Sequence, residues 1–92
     1  MLKHIDVYRA TLDKWGAEAQ YDQAIEECAE LITALKHLKR GKADEQKVIA
    51  ELADVYLMVG QLSYMFGSDK LEKAVDDKLE KLAALLDDEE GR

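Results

Sequence analysis

The stretch VIAELADVYLMVGQLSYMF, residues 48–66, decides the fold of this chain. Its apolar residues recur at steps of three and four, which is the spacing of one face of an α-helix. Further apolar residues, such as Leu57 and Met65, lie on other sides of the same helix. A helix that is apolar on more than one side is buried on more than one side. We therefore expect this segment to be the central helix of an all-α protein.

The same periodicity, followed outward, predicts a four-helix protomer. The predicted helices run from about residue 2 to 15, 17 to 40 and 45 to 66, with a fourth beginning near Asp69. Glycines and side-chain caps are expected at the boundaries. These are Gly16, Gly41, Asp44, Gly67 and the capping-box pair Asp69 and Glu72. The last residues, 86–92, are predicted to be an acidic, solvated tail.

Composition limits the function classes. The chain has 92 residues, no proline, 48% hydrophobic residues and a net charge of −7, which favour one helical domain spanning residues 1–92. The negative charge makes binding to nucleic acid or to a membrane a poor first hypothesis. The sequence contains no apolar run that approaches the ~20 residues needed to span a bilayer. A single cysteine favours a reducing, cytoplasmic location. Such a short chain buries a thin core, so we expect a homodimer or tetramer that forms a helical bundle.

Two acidic pairs are candidates for metal binding. Residues three apart on a helix are neighbours, so Glu27 pairs with Glu30, and Glu51 with Asp54. If the two helices pack antiparallel, the pairs can face each other and offer the carboxylate oxygens that Mg²⁺ prefers. Two carboxylates about 6 Å apart repel by ~3 kcal/mol at an effective dielectric near 20, so a partly buried cluster would need cations or protons. On spacing alone, a solvated acidic stripe is the simpler interpretation.

The whole acidic pattern resembles a known signature. Glu26-Glu27-x-x-Glu30, followed after 20 residues by Glu51-x-x-Asp54, resembles the motif of the MazG-like all-α nucleoside triphosphate pyrophosphohydrolases. The likeness extends over nearly the whole chain. It includes Trp15-Gly16, Gln20, Asp54-Val55-Tyr56 and Asp77-Lys78-Leu79.

The resemblance implies magnesium-dependent hydrolysis of a nucleoside triphosphate to the monophosphate and pyrophosphate, with Mn²⁺ as a possible substitute. By the same resemblance, Glu27, Glu30, Glu51 and Asp54 would hold the metal. Glu26 would orient or activate water together with Glu27, so these two are the candidate catalytic residues.

Lys78 and Lys81 are the candidate phosphate contacts, again by resemblance. Relatives often carry arginines beyond the lysine of the last helix, where this chain has Lys81 and Ala84. Lysine is a point charge and lacks the bidentate fork of arginine, so phosphate contacts here would be weaker or supplied elsewhere. An ordinary surface ion pair is the alternative role for Lys78.

Two rival functions remain open at this point. Phosphoribosyl-ATP pyrophosphatase uses a similar acidic pattern, and a non-catalytic helical oligomerisation module would carry the acids as a solvated face. Cys28 and the aromatic side chains are expected to pack in the core, with base stacking as the alternative role for the aromatics. These aromatics are Tyr8, Trp15, Tyr56 and Tyr64.

Overall fold

The computed structural model describes residues 3–90, and side chains for residues 3–88. It contains three helices, α1 (Ile5–Lys39), α2 (Glu45–Phe66) and α3 (Ser68–Glu90), and no strand within the described range. The all-α prediction is confirmed. The described residues form three helices where four were predicted, because the first two predicted helices follow each other directly across Gly16 and together make up α1. The predicted start at Leu2 lies outside the described residues.

Gly16 nevertheless interrupts α1 where a helix end was predicted. Its backbone angles are φ 84° and ψ 172°, far from helical values, so α1 consists of two helical segments joined by a kink. A side chain at this φ is strained, which explains why glycine stands here. The direction of the chain therefore changes between residues 15 and 17.

The boundaries of α2 follow the predicted capping chemistry. The Asp44 side chain accepts a hydrogen bond from the Lys47 backbone N–H at 3.0 Å, which makes Asp44 the N-cap. Gly41 has φ 71°, as expected for the residue after a helix end. At the other end, α2 stops at Gly67 with φ 113°, and α3 starts at the next residue. Asp69 thus lies inside the first turn of α3 and is not its cap.

The helices α1 and α2 form an antiparallel pair, in which both segments of α1 contact α2. Thr11 on α1 donates a hydrogen bond to Gln61 on α2, and further along α1 the acids at 27 and 30 lie beside those at 51 and 54 on α2. Residue numbers therefore rise along α1 as they fall along α2, so the two helices run antiparallel. Few hydrophobic side chains are buried among the described residues. They are Tyr8, Ala24, Ala34 and Val48. The core of the single chain is small, as predicted from its length.

The third helix stands apart from this pair. α3 packs sparsely against α2 and not against α1, and residues 71–88 are all exposed. The radius of gyration is 16.5 Å, compared with about 12 Å for a compact chain of this length. α3 continues into the predicted acidic tail as far as Glu90, and the side chains of residues 86–88 are exposed. Residues 91 and 92 lie outside the described residues.

Many large apolar side chains are exposed in the single chain, including Ile25 and Ile32 on α1 and Leu79 on α3. Cys28 is exposed too, so its predicted place in the core is wrong for the protomer. The helix α2 is long and apolar enough to cross a membrane by length and composition, with a mean hydropathy of 1.2, although no such run was expected. Only 22% of that window is buried.

Candidate metal centre

Four carboxylates converge between α1 and α2. Glu27 and Glu30 come from α1, and Glu51 and Asp54 come from α2. One oxygen from each lies within 4.8 Å of the others, because each pair is three residues apart and the antiparallel helices bring the pairs face to face. Glu30 and Asp54 are exposed, as in the alternative of a solvated acidic stripe, but Glu51 is buried and Glu27 is partly buried.

The two innermost acids each present one free oxygen. Glu51 is 5% exposed, and its Oε1 forms an ion pair with Lys47 Nζ at 2.7 Å. Glu27 Oε1 accepts a hydrogen bond from Gln23 Nε2, also at 2.7 Å. In both residues Oε2 is buried and accepts no hydrogen bond from the described part of the chain. A buried oxygen without a partner is costly, and a cation between the two would satisfy both.

The electrostatics of the cluster favour a bound cation. The pKa of Glu30 is raised above its ordinary value of 4.5, first by the neighbouring Glu27 carboxylate, then by burial and by Glu51. The pKa of Lys47 is also raised, chiefly by its hydrogen bond to Glu51 and by the charge of that carboxylate. One ammonium group cannot balance four carboxylates. The site therefore retains an excess of negative charge that attracts divalent cations.

A polar cleft borders the cluster on one side. Its volume is about 440 Å³, and its walls include Glu26, Glu30, Lys47 and Glu51, together with His37 and Thr33. Glu26 is exposed there and is not among the four converging acids. Its place beside Glu30 is compatible with the predicted contact with water, a role that stays a prediction.

The predicted phosphate contacts lie far from these acids within one chain. Lys78 and Lys81 are exposed on α3, which does not contact α1. Glu51 is 15 residues before the end of α2, a distance of about 22 Å along the helix at ~1.5 Å per residue. The protomer therefore does not bring either lysine to the acidic cluster.

The geometry agrees with a family comparison. A model of the MazG nucleotide pyrophosphohydrolase domain matches residues 16–84, more than half of the chain. The chain belongs to this family. The MazG match includes all four converging acids and leaves out residues 5–15 of α1. A search of curated proteins and a search of solved structures each found no match.

MazG domains are nucleotide pyrophosphohydrolases that depend on divalent metal, and the donor set of this chain suits such an ion. Carboxylate oxygens are the ligands of hard cations such as Mg²⁺ and Mn²⁺. The two buried, unpartnered oxygens provide the independent structural evidence that the residues fit a metal.

Two residues of the site were not predicted from the sequence. Lys47 and Gln23 each hold one oxygen of a candidate metal ligand, Glu51 and Glu27 respectively. Both precede their partner by four residues on the same helix. The i,i+4 spacing would have identified them once the acids were chosen. Each holds one oxygen of its partner, and the other oxygen of that carboxylate is buried and accepts no hydrogen bond from the described residues.

Proposed function

We propose that this chain hydrolyses a nucleoside triphosphate, in the first place a deoxynucleotide, to the monophosphate and pyrophosphate, with Mg²⁺ bound by the four converging acids. The family match supports the reaction class. The observation that carries the metal assignment is the pair of buried, unpartnered oxygens on Glu27 and Glu51. Mn²⁺ would substitute for Mg²⁺, because both prefer carboxylate oxygen and water.

The bound ion would neutralise the triphosphate and lower the pKa of a coordinated water. The protein residues act around it. Gln23 and Lys47 keep Glu27 and Glu51 in place by the bonds described above. Glu26, exposed at the rim of the polar cleft, orients the attacking water and accepts its proton. No side chain needs to form a covalent intermediate.

The working unit is proposed to be a homodimer or tetramer. The protomer exposes 7358 Å², whereas a compact monomer of 10.4 kDa exposes about 5,400 Å². The excess of roughly 2,000 Å² exceeds the ~800 Å² that each partner buries in a standard interface. The exposed apolar side chains of α3, such as Leu79 and Leu82, are part of this surface. In such an assembly Lys78 and Lys81 would reach the phosphates of a neighbouring chain.

The direct test is a pyrophosphate-release screen over the canonical and damaged NTPs and dNTPs with Mg²⁺. Glu30→Gln and Glu51→Gln should reduce the rate on the best substrate by on the order of 100-fold or more, because each removes a charged metal ligand. Glu18→Gln is the matched control, since Glu18 is an exposed glutamate on α1 outside the cluster. It should keep the wild-type rate.

The rival functions give different results when phosphoribosyl-ATP is added to the same screen. Turnover of phosphoribosyl-ATP with no turnover of nucleoside triphosphates would reassign the chain to histidine synthesis. A non-catalytic helical module would release no pyrophosphate from any substrate, and Glu51→Gln would be silent or stabilising. Release that continues unchanged in Glu30→Gln and Glu51→Gln would remove these acids from the chemistry.

A further inference from the structure

A small cavity, called the junction cavity, lies between the start of α1, the second half of α2 and the first turn of α3. Its volume is about 180 Å³. α1 contributes Tyr8 to its walls, α2 contributes Tyr56 and Ser63, and α3 begins there with Ser68. The helices α1 and α3 make no direct contact with each other. A ligand in the junction cavity would therefore join two helices that the protomer leaves apart.

The junction cavity is separate from the metal centre. Ser63 follows Asp54 by nine residues on α2, which is ~13 Å along the helix and about 180° around it. None of the four converging acids lines the cavity. Its walls also include residues before 16, such as Tyr8, which lie outside the stretch that the family model matches. The cavity thus lies on the opposite face of α2 from Asp54 and is built partly from a segment that the family match leaves out.

Two buried hydroxyl groups line the junction cavity without a protein partner. Tyr8 is 4% exposed and Ser63 is 6% exposed. Neither Tyr8 Oη nor Ser63 Oγ forms a hydrogen bond with any described residue. Burial raises the pKa of Tyr8 above its ordinary value of 10.0, with a smaller contribution from Tyr56, so the phenol keeps its proton at neutral pH. Both groups are donors available to a ligand, and a buried donor that bonds nothing is costly.

The charge around the junction cavity is positive on balance. α1 and α3 both begin at its walls, and each helix start carries about +0.5 of a charge. Lys3 adds a full positive charge, and His4 adds another when it is protonated. Glu72 is the only acid among the described wall residues, so the balance with neutral His4 is about +1. Asp6 and Asp69 are exposed and outside the walls, where water and salt screen their charge.

We propose that the junction cavity binds inorganic phosphate, which accepts hydrogen bonds from Tyr8 Oη and Ser63 Oγ and is attracted by Lys3 and by the start of α3. The cavity is smaller than the ~300–1,000 Å³ of sites for drug-sized ligands, so it fits a small anion and not a nucleotide. Hydroxyl groups and helix N-termini are suitable donors to such an anion. The inference does not depend on the proposed function, because the acids of the metal centre take no part in it. Bound phosphate would fix α3 against the α1–α2 pair.

The acid in the wall favours phosphate over other anions of the same shape. At neutral pH inorganic phosphate still carries an O–H group, which can donate to a carboxylate, whereas sulfate carries none. Glu72 has an interaction of its own, but a carboxylate has about four acceptor positions, so it can also accept a bond from phosphate. For sulfate the same carboxylate contributes only repulsion. Phosphate should therefore bind about tenfold or more tightly than sulfate.

The test is an NMR titration of ¹⁵N-labelled protein in metal-free buffer at constant ionic strength, with sodium phosphate and, separately, sodium sulfate. Phosphate should shift the amide signals of Ser63 and of the first turn of α3 saturably. Tyr8→Phe and Ser63→Ala should each weaken the affinity about tenfold or more, because each removes a hydrogen bond to a charged group. Tyr64→Phe is the matched control and should keep the wild-type affinity, since the Tyr64 hydroxyl accepts from Arg9 Nε outside the cavity.

Thermal unfolding in the same buffer gives a second readout and shows that the variants fold. Without phosphate, Tyr8→Phe and Ser63→Ala should melt close to the wild-type temperature, because neither hydroxyl loses a protein partner. Phosphate should raise the melting temperature of wild type and of Tyr64→Phe above the value in equal sulfate, since a ligand of the folded state stabilises it. The two hydroxyl variants should lose this difference between phosphate and sulfate.

Several results would overturn the phosphate site. They are the absence of saturable shifts in wild type, unchanged affinity in both hydroxyl variants, and sulfate that binds as tightly as phosphate. Glu51→Gln should keep the wild-type affinity for phosphate, and a loss of affinity there would place the anion at the metal centre instead. None of these measurements uses metal or substrate, so the phosphate site and the proposed function stand or fall separately.

Discussion

The α1–α2 pair and the helix α3 differ in what surrounds them. The pair is joined by buried polar contacts, such as those of Gln61 with Thr11 and Tyr8, and it holds all four acids of the metal centre. α3 has a similar length to α2, yet it is exposed throughout its described side chains after Leu71. The α1–α2 pair is organised by contacts within the chain, whereas the apolar side chains of α3 are left exposed. The difference indicates that the acidic cluster belongs to the pair, and it supports the proposal that α3 serves assembly.

The largest expected effect is loss of the assembly when the apolar face of α3 is made charged. Leu79 and Leu82 are 57% and 53% exposed, and both would be buried in an oligomer. The double variant Leu79→Asp/Leu82→Asp should weaken association on the order of 100-fold or more, because it places unpaired carboxylates in an apolar interface. Light scattering after size exclusion should then give the monomer mass of 10.4 kDa.

Glu80→Gln, on the same turn of α3, is the control for that change and should keep the wild-type mass. Either a monomeric wild-type protein or an unchanged mass in the double variant would contradict the role given to α3. The activity of the monomer tests whether Lys78 or Lys81 acts on a neighbouring chain. Catalysis should fall with dissociation if it does.

The second prediction concerns close packing inside the pair. A Cβ added at Gly60 would overlap Tyr8 Oη and Cζ, and Tyr8 is 4% exposed. Gly60→Ala should therefore destabilise the fold by about 1–3 kcal/mol, although alanine normally favours a helix by ~1 kcal/mol. Thermal unfolding measures the change. The double variant Tyr8→Leu/Gly60→Ala should be more stable than the sum of the single changes, and simple additivity would refute the overlap as the cause.

The third prediction compares two ion pairs of equal spacing. Lys47 pairs with Glu51, whose side chain is 6% exposed, whereas Lys73 pairs with Asp77, whose side chain is 57% exposed. Lys47→Met leaves a buried carboxylate unpaired, so it should lower the melting temperature in EDTA by several degrees and increase the rise on adding Mg²⁺. Lys73→Met should change neither value, because surface pairs contribute ~0–1 kcal/mol. Equal responses of the two variants would argue against a special role for Lys47.

The smallest effect is a pH dependence from Glu30. Its pKa is raised above 4.5 in the folded protein by Glu27, so the folded state holds the proton more tightly than the unfolded state. This contribution to stability is present below about pH 4.5 and is lost as pH rises through the raised pKa. In EDTA, Glu30→Gln should therefore gain stability relative to wild type between about pH 4 and pH 7. Glu18→Gln should show no such gain in stability. A stability difference between Glu30→Gln and wild type that does not change with pH would refute this account.

The local chemistry of the fold was predictable from the sequence, and the surroundings of each helix were not. The cap at Asp44 and the break at Gly16 follow from short-range sterics and hydrogen bonding, and both are present. The grouping of the acids follows from helical spacing plus antiparallel packing. By contrast, hydrophobic periodicity indicates which residues avoid water, but it does not indicate whether the same chain or another chain covers them. For that reason Cys28 and Trp15 were wrongly placed in the protomer core.

The most direct test of the central claim is a Mn²⁺ titration followed by electron paramagnetic resonance, on wild type and on Glu51→Gln. The claim is that the acids of α1 and α2 form one divalent cation site. Wild-type protein should bind Mn²⁺ saturably, Mg²⁺ should displace it, and Glu51→Gln should weaken the affinity about 10–100-fold or more. Wild-type protein that binds no Mn²⁺, or Glu51→Gln that binds it as tightly as wild type, would contradict the account.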